Sequence, residues 1–181
     1  MISPGQGILL IANPFLKDPN FIRSVIFLCE HQDEGTFGFV LNKKFPKSLN
    51  ELVPDLHEIV IPVYYGGPVQ METIHFLHQY PSLGGEEVMK NVYWGGNFET
   101  LLTMIRNSEI DFKKIRFFIG YSGWSAGQLD EELNQKSWLT VEAKRNLVFT
   151  ERPEDTWKES LNHLGGEYKM MINFPIDPQL N

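Results

Sequence analysis

The sequence has one cysteine, Cys29, so no disulfide can close within the chain, which fits a reducing compartment. It has no apolar run approaching the ~20 residues that a membrane-spanning helix needs. The run from Ile8 to Ala12 is too short even for the apolar core of a signal peptide, and no basic residue precedes it. Positive charge is also scarce, with 16 Lys and Arg against 23 Asp and Glu and a net charge of −7. That balance argues against a sequence-independent nucleic-acid coat, which needs a net basic surface. Nor is basic charge hidden in one half: residues 1–90 carry 6 basic and 10 acidic residues, and residues 91–181 carry 10 and 13. Two short basic clusters stand out, Lys43, Lys44 and Lys47, and Lys113, Lys114 and Arg116. Both read as solvated turns beside strands. Phosphate-cradling patterns (G-x-x-x-x-G-K-[ST], G-x-G-x-x-G) and the metal patterns C-x-x-C and H-E-x-x-H do not occur. There is no internal repeat, low-complexity segment or dividing linker. The expectation is a cytoplasmic protein with no membrane segment.

What remains supports one domain. The 181 residues are 42% hydrophobic and 13% aromatic, enough for a sizeable core. Residues 8–12 read as a buried strand, bounded by Gly7 and by Asn13-Pro14. Asp18-Pro19 reads as the cap and first position of a brief helix. Residues 24–42 read as a hairpin turning at Gly35. Ser48 and Glu51 form a capping-box pattern over a helix that Pro54 cuts short. Strands are expected at 59–65, 73–78, 88–94, 115–119, 138–141 and 147–149. Asn97 caps a helix with Phe98, Leu101, Leu102 and Ile105 on one stripe. Residues 120–127 read as a glycine-rich corner leading into a helix at 128–133. A last helix opens near Pro153, carries Trp157, Leu161 and Leu164 on one face and stops at Gly165-Gly166. Hairpins outnumber crossovers, so the fold class is α+β with a mainly antiparallel sheet. The domain spans 1–166, and 167–181 reads as an extended C-terminal tail.

Four groups of residues invite a chemical reading. Gly123-Trp124-Ser125-Ala126-Gly127 fits G-x-S-x-G, the elbow that exposes a nucleophilic serine in hydrolases. Its mechanism needs a histidine base, and only His163 lies downstream, beside Leu161 and Leu164 on a helix. The alternative is a tight corner where glycines let a strand pass close to a helix. Cys29 and His31 face one way on a strand and could form a nucleophile pair. The alternative is a buried thiol at a strand end. Glu72, His75 and His78 are spaced for a shared helix face, but on a strand His75 and His78 point to opposite faces, which excludes a common metal. Trp94, Trp124, Trp138 and Trp157 can stack on a ligand or serve as core.

In order along the chain, several blocks together resemble the AlgH-like (YqgE-like) family. They are Gly7-Ile8-Leu9-Leu10-Ile11-Ala12-Asn13-Pro14, Asp18-Pro19-Asn20-Phe21, Arg23-Ser24-Val25, Cys29-Glu30-His31 and Gly38-Phe39-Val40-Leu41-Asn42-Lys43. Tyr65-Gly66-Gly67-Pro68-Val69 and Leu77-His78 follow, then Gly120-Tyr121-Ser122-Gly123-Trp124-Ser125-Ala126-Gly127-Gln128-Leu129, with Glu132, Asn134 and Trp138 beyond. The resemblance implies a bacterial cytosolic α+β protein whose sheet curls into a pseudo-barrel with helices packed outside. It implies no enzyme activity and no cofactor, and it carries the label of a transcriptional regulator. Two features depart from the family pattern: Ser125, where glycine or another small residue is more usual, and the tail from Tyr168 to Pro175.

The reading that follows is a non-enzymatic regulatory or binding module. It has no catalytic residues, no metal and no cofactor, and its partner is an unidentified protein or small molecule. Its expected groove gathers Arg23, Glu30, His31, Asn42, Gly67, Trp124 and Gln128, polar and glycine positions at strand ends where sites are commonly built. Direct DNA binding is the alternative, disfavoured by the net charge and by the lack of a helix-turn-helix pattern. A serine hydrolase acting through Ser125 is the second alternative.

Overall fold

The computed structural model describes residues 1–176. In chain order the elements are β1 (Ile8–Ala12), β2 (Val25–Gln32), β3 (Gly35–Val40), α1 (Leu49–Leu52), β4 (Val63–Tyr65), β5 (Val69–His78), β6 (Glu86–Met89) and β7 (Val92–Trp94). Then follow α2 (Phe98–Arg106), β8 (Ile115–Ser125), α3 (Gln128–Asn134), β9 (Trp138–Glu142), α4 (Arg145–Val148) and α5 (Thr156–Leu164). The strands form one sheet in the order β6-β7-β5-β8-β3-β2-β1-β9, and β4 pairs separately with β8. Every pairing is antiparallel except that of β4 with β8. The sheet is curled but does not close, and the fold is α+β as expected.

β8 is the hinge of the architecture. Its first half, from Ile115 to Ile119, lies between β5 and β4. Its second half, from Ser122 to Ser125, pairs with β3. The strand changes neighbours at Gly120, which has a φ of +66° and packs so closely on the carbonyls of Gly67 and Val69 that a Cβ would not fit. Residues 120–125 are therefore strand rather than a corner, because β3 supplies their ladder partners.

The apolar runs of β1 and β2 are continuous because both faces of this part of the sheet are covered. Leu9, Ile11, Val25 and Phe27 meet Trp157 and Leu161 of α5 on one face. Leu10, Ala12, Ile26 and Leu28 meet Trp124, Leu129 and Trp138 on the other. A third cluster lies under α2, where Leu101, Leu102 and Ile105 pack on Phe76, Ile115 and Phe117. The cap of α2 forms as expected, Asn97 Oδ1 accepting from the Thr100 N–H at 2.9 Å. At α1 the Glu51 carboxylate accepts from the Ser48 backbone N–H at 2.7 Å, and these Ser48 bonds hold its pKa below the usual carboxylate range.

Five further expectations are corrected. Asp18-Pro19 opens no helix: Asp18 Oδ1 accepts from the Asn20 N–H and the Asp18 carbonyl from the Phe21 N–H, an Asx-type turn. The strand expected at 59–65 is only β4, since Pro62 just before it has no N–H to donate. The strand expected at 88–94 is a hairpin, β6 and β7, with Asn91 at a φ of +61° in its turn. Residues 147–149 are not strand: α4 buries Leu147 and Val148 in a single helical turn. The C-terminal segment does not run extended. Residues 166–173 wind into 3₁₀ turns whose Tyr168, Met171 and Ile172 pack on the core, while Phe174 stacks near Phe15 at 5.5 Å between ring centroids. The rest of the expected tail, 177–181, lies outside the described residues.

Candidate functional site

The curl of the sheet leaves an aromatic cleft of about 460 Å³ between the β2–β3 hairpin, β5, β7 and β8. Phe37 stands at its centre. Trp94 of β7 meets Phe37 edge-on at 5.0 Å and Tyr121 of β8 meets it at 5.9 Å. His75 of β5 lies edge-on to Tyr121 at 5.9 Å and 6.5 Å from Trp94. All four rings are half-buried, so each keeps a face toward the cleft. His75 Nε2 shares a hydrogen bond with Thr73 Oγ1 at 2.9 Å, and burial holds the imidazole pKa below its ordinary value. Burial thus favours the neutral form of this ring.

Glu30 supplies the acid of this cleft. It pairs in register with Phe37, and the register shifts between Leu28 and Glu30. This bulge turns Glu30 onto the aromatic face. Among the described residues its carboxylate has no hydrogen-bond or ion-pair partner. Gly123 forms the floor beside Tyr121 and is exposed; a Cβ added there would make only ordinary contact with the tyrosine ring.

The seven residues expected in one groove do not gather there. Glu30 and Trp124 line this cleft, although the Trp124 indole is buried toward Trp138 and donates to Glu132 Oε2 at 2.9 Å. His31 stands at an adjoining small hollow, its Nδ1 2.6 Å from Thr36 Oγ1. Gln128 locks the turn after β8: its Oε1 accepts from the Ser125 N–H at 3.0 Å and its Nε2 donates to Glu132 Oε1 at 3.1 Å. Gly67 presses on the Tyr121 carbonyl from the β4–β5 crossing. Arg23 and Asn42 lie at a separate hollow with Trp157. Arg23 stacks on the Trp157 ring at 4.6 Å and donates to the Phe174 carbonyl, so it ties down the C-terminal segment. Asn42 is a backbone clamp, accepting from the Val25 N–H and donating to the Arg23 carbonyl, both at 2.9 Å. Polar residues at strand ends were thus recruited mainly to satisfy backbone groups. Asn42→Ala is expected to lower unfolding free energy by about 2 kcal/mol, because the buried Val25 N–H loses its acceptor. Urea titration would measure this, and a loss below about 0.5 kcal/mol would contradict the clamp.

The other chemical readings also meet geometry. Ser125 does sit at a strand–turn–helix junction, with Gly127 at a φ of +76°. Its hydroxyl faces Gln128 Oε1 at 3.3 Å, and among the described residues no histidine nitrogen lies within hydrogen-bond distance. His163 is on α5, which packs against β1 and β2. Cys29 is a buried thiol whose pKa is pushed well up by desolvation and then by Glu30, so it is a poor nucleophile. His78 turns away from the cleft, its Nε2–H donating to the Gly95 carbonyl at 2.7 Å. Among the described residues no group of three His, Cys, Asp or Glu side chains is placed to hold a metal. Lys43 Nζ donates to the Asn20 carbonyl at 3.1 Å, so it is not a free member of a basic row.

The four cleft rings come from four different strands, and sequence reasoning placed only Trp94 among possible stacking residues. A signal did exist. Phe37 and Tyr121 each lie between small or polar neighbours, the period-two pattern of a half-exposed sheet face.

Fold and cleft together define a single-sheet α+β domain with an aromatic, ligand-sized hollow between the β2–β3 hairpin, β5, β7 and β8. The chain belongs to the AlgH-like family, DUF179, whose sequence model matches residues 9–169. It is 42% identical over 183 residues to the UPF0301 protein CT0663 of Chlorobaculum tepidum, covering 100% of this chain and 97% of that one. It is 38% identical to a UPF0301 protein of Cytophaga hutchinsonii, covering 97% of this chain and 98% of that one. Among solved structures, the AlgH protein from Pseudomonas aeruginosa superposes with a TM-score of 0.72 at 28% identity, over 97% of each chain. Protein DIP2367 from Corynebacterium diphtheriae superposes with a TM-score of 0.80 at 21% identity, over 96% of this chain and 94% of that one, and shows the shared fold.

Proposed function

We propose that this protein is a non-enzymatic binding module of the cytoplasm whose cleft takes a flat aromatic or heteroaromatic small molecule carrying an N–H donor. The observation that supports it is the cleft itself. Phe37, Trp94, Tyr121 and His75 offer ring faces around about 460 Å³, within the usual size of small-molecule pockets, beside the Glu30 carboxylate, which has no partner among the described residues. Rings stack on a planar ligand, and Glu30 accepts its N–H; a hydrogen bond to a charged acceptor contributes about 1.5–3 kcal/mol. Occupancy then links the two halves of the sheet across β3, β5 and β8, which is how a small molecule would report to a protein partner in a regulatory role.

The test is a titration of the full-length protein with adenosine, riboflavin and indole, followed by tryptophan fluorescence and thermal shift. At least one is expected to bind saturably. Glu30→Gln should weaken that binding about tenfold, and Gly123→Leu, which fills the floor while keeping an allowed backbone, should abolish it. Binding that both variants leave intact, or no binding by any of the three, would overturn the assignment of this cleft.

A further inference from the structure

A second cleft lies at the other end of β8, and its wall holds a buried charge. Arg116, only 6% exposed, lies between Ile115 and Phe117 in the middle of the sheet. Its Nη1 donates to the Leu41 carbonyl at 3.1 Å, its Nη2 donates to the Thr150 carbonyl, and the guanidinium stacks 4.4 Å from the centre of the Tyr64 ring. Tyr64 and Thr150 both line a cleft of about 600 Å³, so the charged head and not the aliphatic stem stands at this wall. Desolvation lowers the guanidinium pKa, but arginine stays charged in proteins. None of the ion pairs among the described residues includes Arg116. Both of its acceptors are neutral carbonyls. A buried charge ordinarily needs a counter-charge, and the described residues provide none.

The remainder of the cleft indicates what would supply one. Two acids stand at the rim, and both are engaged: Glu151 pairs with Lys113 at 3.1 Å, and Asp111 Oδ1 accepts from the Lys113 backbone N–H at 3.0 Å. The walls are apolar, from Pro62, Ile110, Phe112 and Phe149. A strongly charged or fully hydrated anion would meet those walls badly. A single carboxylate on an apolar body matches both parts, a planar anion for the guanidinium fork and hydrocarbon for the walls. We propose that this cleft is a binding site for small monocarboxylic acids, with Arg116 holding the carboxylate. It is separate from the aromatic cleft, which lies against the opposite half of β8.

The experiment is an amide-resolved NMR titration of the full-length protein with hexanoate and phenylacetate, each against its neutral amide, and with inorganic phosphate. Acetyl-Ala-Leu, which ends in a free carboxylate, distinguishes a polypeptide terminus from a free acid as the source. Carboxylates are expected to shift residues 110–117 and 149–151 saturably, and the amides to bind at least tenfold more weakly. Arg116→Met should abolish binding. Because that variant removes two internal hydrogen bonds and so puts the fold itself at stake, Phe112→Ala serves beside it. Phe112 is 45% exposed, so its loss should spare the fold and weaken phenylacetate binding severalfold. Saturable binding of either carboxylate source supports the site. Amides that bind as well as acids, phosphate that binds as well as phenylacetate, or no saturable shift would each overturn it. These residues are distinct from those of the aromatic cleft, so failure here is separable from failure there.

Discussion

Gly67→Ala is expected to remove about 3–5 kcal/mol of stability and to leave much of the chain unfolded at 37 °C. Native domains hold only about 5–15 kcal/mol in total. Gly67 has a φ of +152° and lies where the chain passes from β4 to β5 across β8. An added Cβ would come closer than 3.0 Å to the carbonyl carbon and oxygen of Tyr121 and to the Ser122 nitrogen. These are backbone atoms of the central strand, so no side chain can rotate away. Relief requires β8 to move, and with it the ladders to β3 and β5. The control is Gly84→Ala. Gly84 also has a positive φ, +72°, but nothing lies within 4 Å of where its Cβ would be. That variant should lose only about 1–3 kcal/mol, the conformational cost of a φ of +72° with a ψ of −151° alone. Guanidinium titrations of the two variants would separate packing from backbone preference. Equal losses would show that close packing at Gly67 is not what the position requires.

The second large effect is expected at Glu132 on α3. One of its oxygens, Oε2, accepts from two indoles, Trp138 Nε1 at 2.7 Å and Trp124 Nε1 at 2.9 Å. Both tryptophans are buried, at 1% and 5% exposure, and their rings meet edge-on at 6.1 Å. Glu132→Ala deprives two buried donors of their acceptor. Each unsatisfied donor costs about 1–3 kcal/mol, and the half-exposed position of Glu132 admits some water, so the sum expected is about 2–4 kcal/mol. Glu132→Gln keeps an acceptor oxygen for the indoles and should recover most of that loss. Its amide nitrogen would face Gln128 Nε2, donor to donor, until Gln128 turns over. Urea denaturation and near-ultraviolet circular dichroism, which reports the two indoles, would check both variants. A loss under about 0.5 kcal/mol in Glu132→Ala would mean that the carboxylate is not what fixes the pair.

The elements legible in the sequence were those whose signal is local. The β2–β3 hairpin, α2 with its Asn97 cap and the apolar stripe of α5 all follow from spacing within about ten residues. The misreadings have a common source. Residues 120–125 carry four glycine or serine positions that favour a turn locally, yet β3 pairs with 122–125 and makes the segment strand. Residues 147–149 have strand propensity, but burial under α5 is achieved by a helical turn. Tertiary pairing outweighed local preference in both cases. The candidate site was the least legible part. Glu30 lines the aromatic cleft, but that cleft is completed by residues from β3, β5, β7 and β8 that only the curl of the sheet brings together. Arg23, Asn42 and Gln128 look like ligand-binding residues because they are polar and end strands or open helices. In the fold they hold a C-terminal segment, two backbone groups and a turn.

The position of β8 also sets the order in which this protein can be completed as it leaves the ribosome. β4 and β5 are made early but find their shared neighbour only when residues 115–119 emerge, and β3 waits for residues 122–125. β1 waits longer still, since its second edge is covered by residues 138–142. Long-range pairing of this kind is slow and leaves unpaired edges exposed meanwhile. For most of synthesis the nascent chain therefore presents the β1–β3 meander, Leu9 to Val40, with its apolar faces bare. The period of greatest risk of aggregation falls during translation, and chaperones that bind short apolar strands are the natural guardians of this interval.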